Sequence, residues 1–317
     1  MKVVATVGRE SVAVVYIVQF GDKRLVECVE ALQPPTSRER KWVLLVSTMF
    51  GCPVGCKFCD AGGHYEGALS ADEILEQIDF LVRRRFPDGR VPSTQFKIQF
   101  SRMGEPSMNP ALLTVLEKLR GRYDAPGLLP SVSTVAPEGS AGFFQELGDI
   151  KGHLYPGGRF QFQFSVHTTD EDLRAKLIPV AKMGLEQMAE CGRRLCAPGD
   201  RRIALNFALA RGFPVDAEVL LRHFSPERFL IKITPLNPTH RAAANELSSC
   251  ITKDCRGEAG PIVAGLEKAG YRVIVSIGEP EENLIGSNCG QYVRRHLEAN
   301  RTLEGGYSYR VTSGCKG

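Results

Sequence analysis

An alternation of strands and helices constrains this chain's fold most. Residues 42–47, 96–100, 129–134, 160–167, 203–209 and 229–236 are short apolar runs that read as strands. Patterns with helical spacing lie between them. Ser70 and Glu73 form a capping box, and Ile74, Leu75, Ile78, Leu81 and Val82 then share one helix face. Residues 112–119, 143–147, 185–195 and 219–224 also read as helices, and a last helix and strand are expected at 259–269 and 273–277. A helix after each strand returns the chain to the same end, so neighbouring strands run parallel, and the right-handed crossover curls them. The expected class is α/β, a partial (β/α)6 TIM-like barrel. Residues 12–19 and 24–31, around a turn at Gly21-Asp22, predict a small β extension ahead of it. The expected division is 1–40 extension, 41–290 barrel and 291–317 tail.

Directly after the first barrel strand comes Gly51-Cys52-Pro53-Val54-Gly55-Cys56-Lys57-Phe58-Cys59, a C-x3-C-x2-C spacing. Gly51, Pro53 and Gly55 favour a loop that can wrap an inorganic core. Electron-transfer clusters are usually ligated by four cysteines. Three ligands leave one iron open for something else. Zinc is the competing reading, although zinc sites more often show paired C-x2-C units.

Composition narrows the class. The 317 residues are 43% hydrophobic and 24% charged, as in a globular protein. The apolar run 12–20 is too short to span a bilayer and has no cleavage pattern after it, so a cytoplasmic location is expected. Ten cysteines in that setting point to metal binding or catalysis. A net charge of +4 permits a nucleic-acid partner without demanding one.

In such barrels function gathers at the carboxyl ends of the strands. The second strand ends in Ser101-Arg102-Met103-Gly104-Glu105-Pro106, the third contains Ser133, the fourth ends Ser165-Val166-His167, and Asn237 follows the sixth. With the cysteine loop and Asn288-Cys289-Gly290-Gln291, these segments resemble the radical S-adenosylmethionine (SAM) superfamily. Within it they are similar to the adenine methyl synthases of ribosomal and transfer RNA, over about residues 27–293.

The resemblance implies a radical SAM barrel with a [4Fe-4S] cluster on Cys52, Cys56 and Cys59 and SAM on its open iron. It implies SAM contacts from Gly104, Glu105, Ser133, Ser165, Val166, His167 and Asn237. In the resembled enzymes the cysteine at Cys289 accepts a methyl group from one SAM. A second SAM supplies the radical that activates it for addition to an sp2 carbon of adenine. A glutamate corresponding to Glu27 acts as general base. RNA and an electron donor such as flavodoxin or ferredoxin are the implied partners; Arg294, Arg295, Arg301 and Lys316, which follow Cys289, are candidates to face the RNA, with a solvated basic tail as the other reading.

Two departures from the pattern are visible. The family's second catalytic cysteine lies seven residues before the first cluster cysteine, where this chain has Leu45. Leucine cannot resolve a sulfur adduct; Cys315 is the candidate substitute, with a free thiol in the tail as the other reading. The family's accessory N-terminal domain is also expected to be absent. Direct hydrogen abstraction from a peptide or small molecule is the alternative activity, and a non-enzymatic iron–sulfur sensor is a third reading.

Overall fold

The computed structural model describes residues 1–21, 23–251, 259–288, 292–293, 303 and 306–313. Strands β1 (Lys2–Arg9), β2 (Ala13–Phe20) and β3 (Arg24–Ala31) form the N-terminal part. Then come β4 (Lys41–Val46), β5 (Met49–Gly51), β6 (Tyr65–Ala68), α1 (Ala71–Arg85), β7 (Gln95–Phe100) and α2 (Ala111–Leu119). These are followed by β8 (Leu128–Thr134), α3 (Ala141–Leu154), β9 (Gln161–Ser165), α4 (Glu171–Leu177), α5 (Leu185–Leu195), β10 (Ile203–Leu209) and α6 (Ala217–His223). The last elements are β11 (Phe229–Pro235), α7 (His240–Ala244), α8 (Ala259–Lys268), β12 (Val273–Val275), α9 (Pro280–Ile285) and β13 (Thr312–Ser313).

One sheet runs in the order β12-β11-β10-β9-β8-β7-β4-β3-β2-β1-β13. From β4 to β12 all neighbours are parallel. The N-terminal strands continue the sheet antiparallel, with Val29 of β3 opposite Leu45 of β4. The extension has one strand more than its sequence suggests. Lys2–Arg9 joins it as β1, a strand whose glycine and charged residues blur the alternation. Among the described residues no pairing links β12 back to β13, so the ladder is open.

Strand periodicity sets the two faces of this sheet. On β4, Trp42, Leu44 and Val46 are fully buried and share one core with Ile74, Ile78 and Val82 of α1. Phe96, Ile98 and Phe100 of β7, Phe162 and Phe164 of β9 and Phe229, Ile231 and Ile233 of β11 extend that core. The alternate residues of β4 and β11 are only half-buried. The helices therefore cover one face, and the opposite face stays open for a ligand. The α1 cap forms as its sequence predicts, with the Glu73 N–H donating to Ser70 Oγ and the Ser70 N–H donating to Glu73.

Candidate active site

The cysteine loop runs between β5 and β6, a hairpin that strand patterning does not reveal. Gly51 has φ +77°, and a Cβ there would lie 1.4 Å from the His64 carbonyl oxygen. The Cys52 N–H donates to that same oxygen at 3.2 Å and closes the loop's neck. Residue 51 must therefore be glycine for a reason of backbone approach.

The segment after β11 holds the loop from outside. Arg241 donates to the carbonyls of Cys56 at 3.0 Å, Gly55 at 2.9 Å and Gly62 at 3.4 Å. Asn245 donates to the Lys57 carbonyl and the Thr239 hydroxyl to the Phe58 carbonyl. Asp60 accepts the N–H groups of His240 and Arg241 at 3.0 and 2.9 Å and the Tyr307 hydroxyl at 2.7 Å. Sequence reading missed Arg241, Asn245 and Asp60. A backbone-binding arginine has no local motif, because its partners lie far away in the chain.

The thiols suit a cationic core. Burial pushes the Cys52 thiol up to about 11, while the N–H groups of Val54, Gly55 and Gly104 point at its sulfur and oppose the shift. Cys56 is pushed well above the ordinary thiol value, by burial first and then by the charges of Cys59 and Cys52. Crowded, desolvated thiols lose their protons when a metal core supplies the compensating charge. Among the described residues no three His, Cys, Asp or Glu side chains converge on a single metal-ion position. What the loop offers is a C-x3-C-x2-C set of thiols with backbone N–H groups aimed at the Cys52 sulfur, a donor set that fits an iron–sulfur cluster.

Beside the loop the strand ends present polar groups. Glu105 is buried, and its carboxylate accepts the Ser107 N–H at 3.1 Å, the Ser107 hydroxyl at 2.8 Å and the Val135 N–H at 2.9 Å. Burial still holds its pKa above the ordinary carboxylate value. Gly104 has φ +104°, and a Cβ there would strike Thr48 and Met49. The need for glycine thus comes from protein packing rather than from a ligand. On the open face, the side chains of Ser133 and Ser165 make no hydrogen bond among the described residues, and Asn206 Oδ1 is buried without a partner. Register places Ser165 beside Asn206. Unpartnered polar groups at one rim are what a polar ligand such as SAM requires. Asn206 has no motif, and only strand register finds it.

The other expected contacts divide. Val166 turns its side chain into the hydrophobic core, and its N–H donates to the Asn206 carbonyl. His167 is buried at φ +69°, with Nδ1 accepting the Ala208 N–H at 3.0 Å and its ring edge-on to Phe58. Burial lowers its pKa to about 3, with Arg174 adding to the shift, so the ring is neutral with its proton on Nε2. Asn237 is half-buried in the turn before Thr239.

Glu27 sits on the same face of the sheet as Leu45 and is completely buried. Its carboxylate receives the Arg102 guanidinium, with Nε at 3.0 Å, and the Val293 N–H at 2.6 Å. Burial holds its pKa above the ordinary value, while Arg102 and the N–H groups of Val293 and Tyr292 oppose that shift. Arg102 also donates to the carbonyls of Gly286 at 2.9 Å, Ser287 at 2.8 Å and Asn288 at 3.3 Å. A carboxylate that receives a guanidinium and backbone N–H groups is arranged as a clamp between these segments. Leu45 is half-buried on this face. Cys289, Arg294, Arg295, Arg301, Cys315 and Lys316 lie outside the described residues.

No family model matches the chain. It is 28% identical over 294 residues to a probable dual-specificity RNA methyltransferase RlmN of Desulfitobacterium hafniense, covering 90% of this chain and 76% of that one. It is 26% identical over 260 residues to the dual-specificity RNA methyltransferase RlmN of Wolinella succinogenes, covering 79% and 70%. The probable RlmN of a Nostoc species is 31% identical over 243 residues, covering 74% and 63%. A crystal structure of a radical SAM methyltransferase from Sphaerobacter thermophilus superposes with a TM-score of 0.69 at 24% identity, covering 91% of this chain and 81% of that one. This chain is a homologue of proteins named RlmN RNA methyltransferases, and it has the fold of a radical SAM methyltransferase.

Proposed function

We propose that this chain is a radical SAM methyltransferase that acts on an adenine of RNA, with a cluster on Cys52, Cys56 and Cys59 and a methyl-carrying Cys289. The observation that carries the reading is one rim of the sheet. There the desolvated thiols of Cys52 and Cys56 feel the charge of Glu105, and Ser133, Ser165 and Asn206 present unpartnered polar groups on the open face. The cluster and SAM, when bound, supply the radical chemistry that starts the reaction. The chain's residues hold and orient. Arg241 fixes the cysteine loop, neutral His167 holds the β10 backbone, and Ser133, Ser165 and Asn237 are the groups proposed to bind SAM. Glu27 and Arg102 position the two flanks of residue 289. RNA as substrate, a cytoplasmic location and an electron donor such as flavodoxin or ferredoxin complete the proposal. No helix among the described residues is long and apolar enough to cross a membrane.

The test is anaerobic reconstitution followed by SAM and reductant. The expected result is about one four-iron cluster per chain, release of 5′-deoxyadenosine, a methylated Cys289 in peptide mass spectra, and a methylated adenine when RNA is supplied. SAM cleavage with Cys289 never methylated would overturn the methyl-transfer mechanism in favour of direct hydrogen abstraction.

A further inference from the structure

The open face of the sheet carries a charge that the proposed reaction leaves unused. Lys41 pairs with Gln95, two residues before Lys97, so both lysines lie on one face. The pairings Gln99 with Ser131, Ser131 with Gln161, Gln163 with Ala204 and Asn206 with Lys232 carry that same face across to β11. Lys41, Lys97 and Lys232 therefore share the helix-free side. Lys97 is only 9% exposed, and among the described residues its ammonium has no hydrogen bond or ion pair. The charges that act on it are all positive, from Lys232, Lys41 and Arg201.

A buried ammonium without a counter-charge is costly, and more so beside other cations. Burial first, and then those cations, hold Lys97 down at about 7. The cost disappears when an anion arrives. We propose that this basic floor, centred on Lys97, binds a phosphate group. Three lysines on one face suit a phosphate better than a single carboxylate, and Gln95 and Gln99 add amide donors on the same face. Lys97 lies four residues before Ser101, about 13 Å along the strand from the rim that carries the cysteine loop. A ligand that reaches both places has a reacting end and a phosphate end, as a nucleotide does. The nucleotide assignment rests on the RNA reading above, whereas the phosphate site itself does not.

The experiment is acetic anhydride labelling of the intact chain, read by peptide mass spectrometry. It is run with inorganic phosphate, with adenosine, with a short RNA, and with chloride at matched ionic strength. The expected result is a reactive Lys97 protected by phosphate and by RNA, and unprotected by adenosine or chloride. Lys97→Gln should weaken RNA binding about five- to tenfold and lower the salt slope of log affinity by about one, and Lys97→Arg should restore most of both. Protection by phosphate with RNA affinity unchanged in Lys97→Gln supports the site and assigns it a free phosphate compound instead of the RNA backbone. If wild-type protein binds no RNA while phosphate still protects Lys97, the RNA reading fails and this site stands. Absence of protection by both phosphate and RNA overturns the proposal.

Discussion

Glu105 shows how one side chain can serve both fold and site. It bridges the end of β7 to the end of β8 through the N–H groups of Ser107 and Val135. Glu105→Ala strands these buried donors, which costs about 1–3 kcal/mol of stability. Urea unfolding should register that loss, and SAM affinity should fall at least tenfold in a binding titration. A stability loss with unchanged SAM affinity would leave Glu105 a purely structural role. His167 gives a pH signature. The folded protein holds the ring neutral down to about pH 3, whereas the unfolded chain takes up a proton below about pH 6.5. The unfolded state thus binds more protons between these values, and stability falls as pH falls through that window. This group contributes a slope of about 1.4 kcal/mol per pH unit there. His167→Gln should flatten the acid side of the stability curve relative to wild type, and identical pH profiles for the two proteins would rule the assignment out.

At the scale of elements, the cysteine loop is held by a short helix distant in sequence. Thr239 caps α7 by accepting the Ala242 N–H, and Asp60 accepts the N–H groups at the helix's first turn. Arg241 then reaches three loop carbonyls. Arg241→Ala should leave the sheet and its helices folded, since the hydrophobic core does not involve this side chain. It should loosen the loop, so that reconstituted protein retains clearly less iron than wild type after desalting. Equal iron retention would show that the cysteines need no such support.

At the scale of the whole molecule, Glu27 and Arg102 join parts of the chain that sequence separates widely. The pair is nearly inaccessible, with side-chain exposures of 0% and 1%. It connects β3, the end of β7 and the backbone on both sides of residue 289. Arg102→Met leaves a buried carboxylate unpaired and should cost about 3–5 kcal/mol in urea unfolding. The double variant Glu27→Leu, Arg102→Met should recover part of that loss, though not all, because the Gly286, Ser287 and Asn288 carbonyls still lack their donor. A double variant no more stable than the single one would mean that these carbonyl bonds, rather than the unpaired charge, dominate.

The sequence by itself determined whatever depends on neighbours along the chain. Strand and helix periodicity placed β4, β7, β8, β9, β10 and β11 in order, and a local pattern of four residues set the α1 cap. The spacing of Cys52, Cys56 and Cys59 and the residues around Glu105 and His167 were legible for the same reason. Tertiary structure decided what depends on pairing across the chain. The pairing of β1 with β13, the grip of Arg241 on loop carbonyls and the commitment of Glu27 to Arg102 all involve partners far apart in sequence. Lys97 makes the point most clearly. Its alternation within β7 says only that it faces away from the helices, and the sheet then gathers Lys41 and Lys232 onto the same face. Hydrophobic patterning is local because each element must bury its own stripe. Electrostatic environment depends on which charges the fold brings together, and no local pattern of residues encodes that.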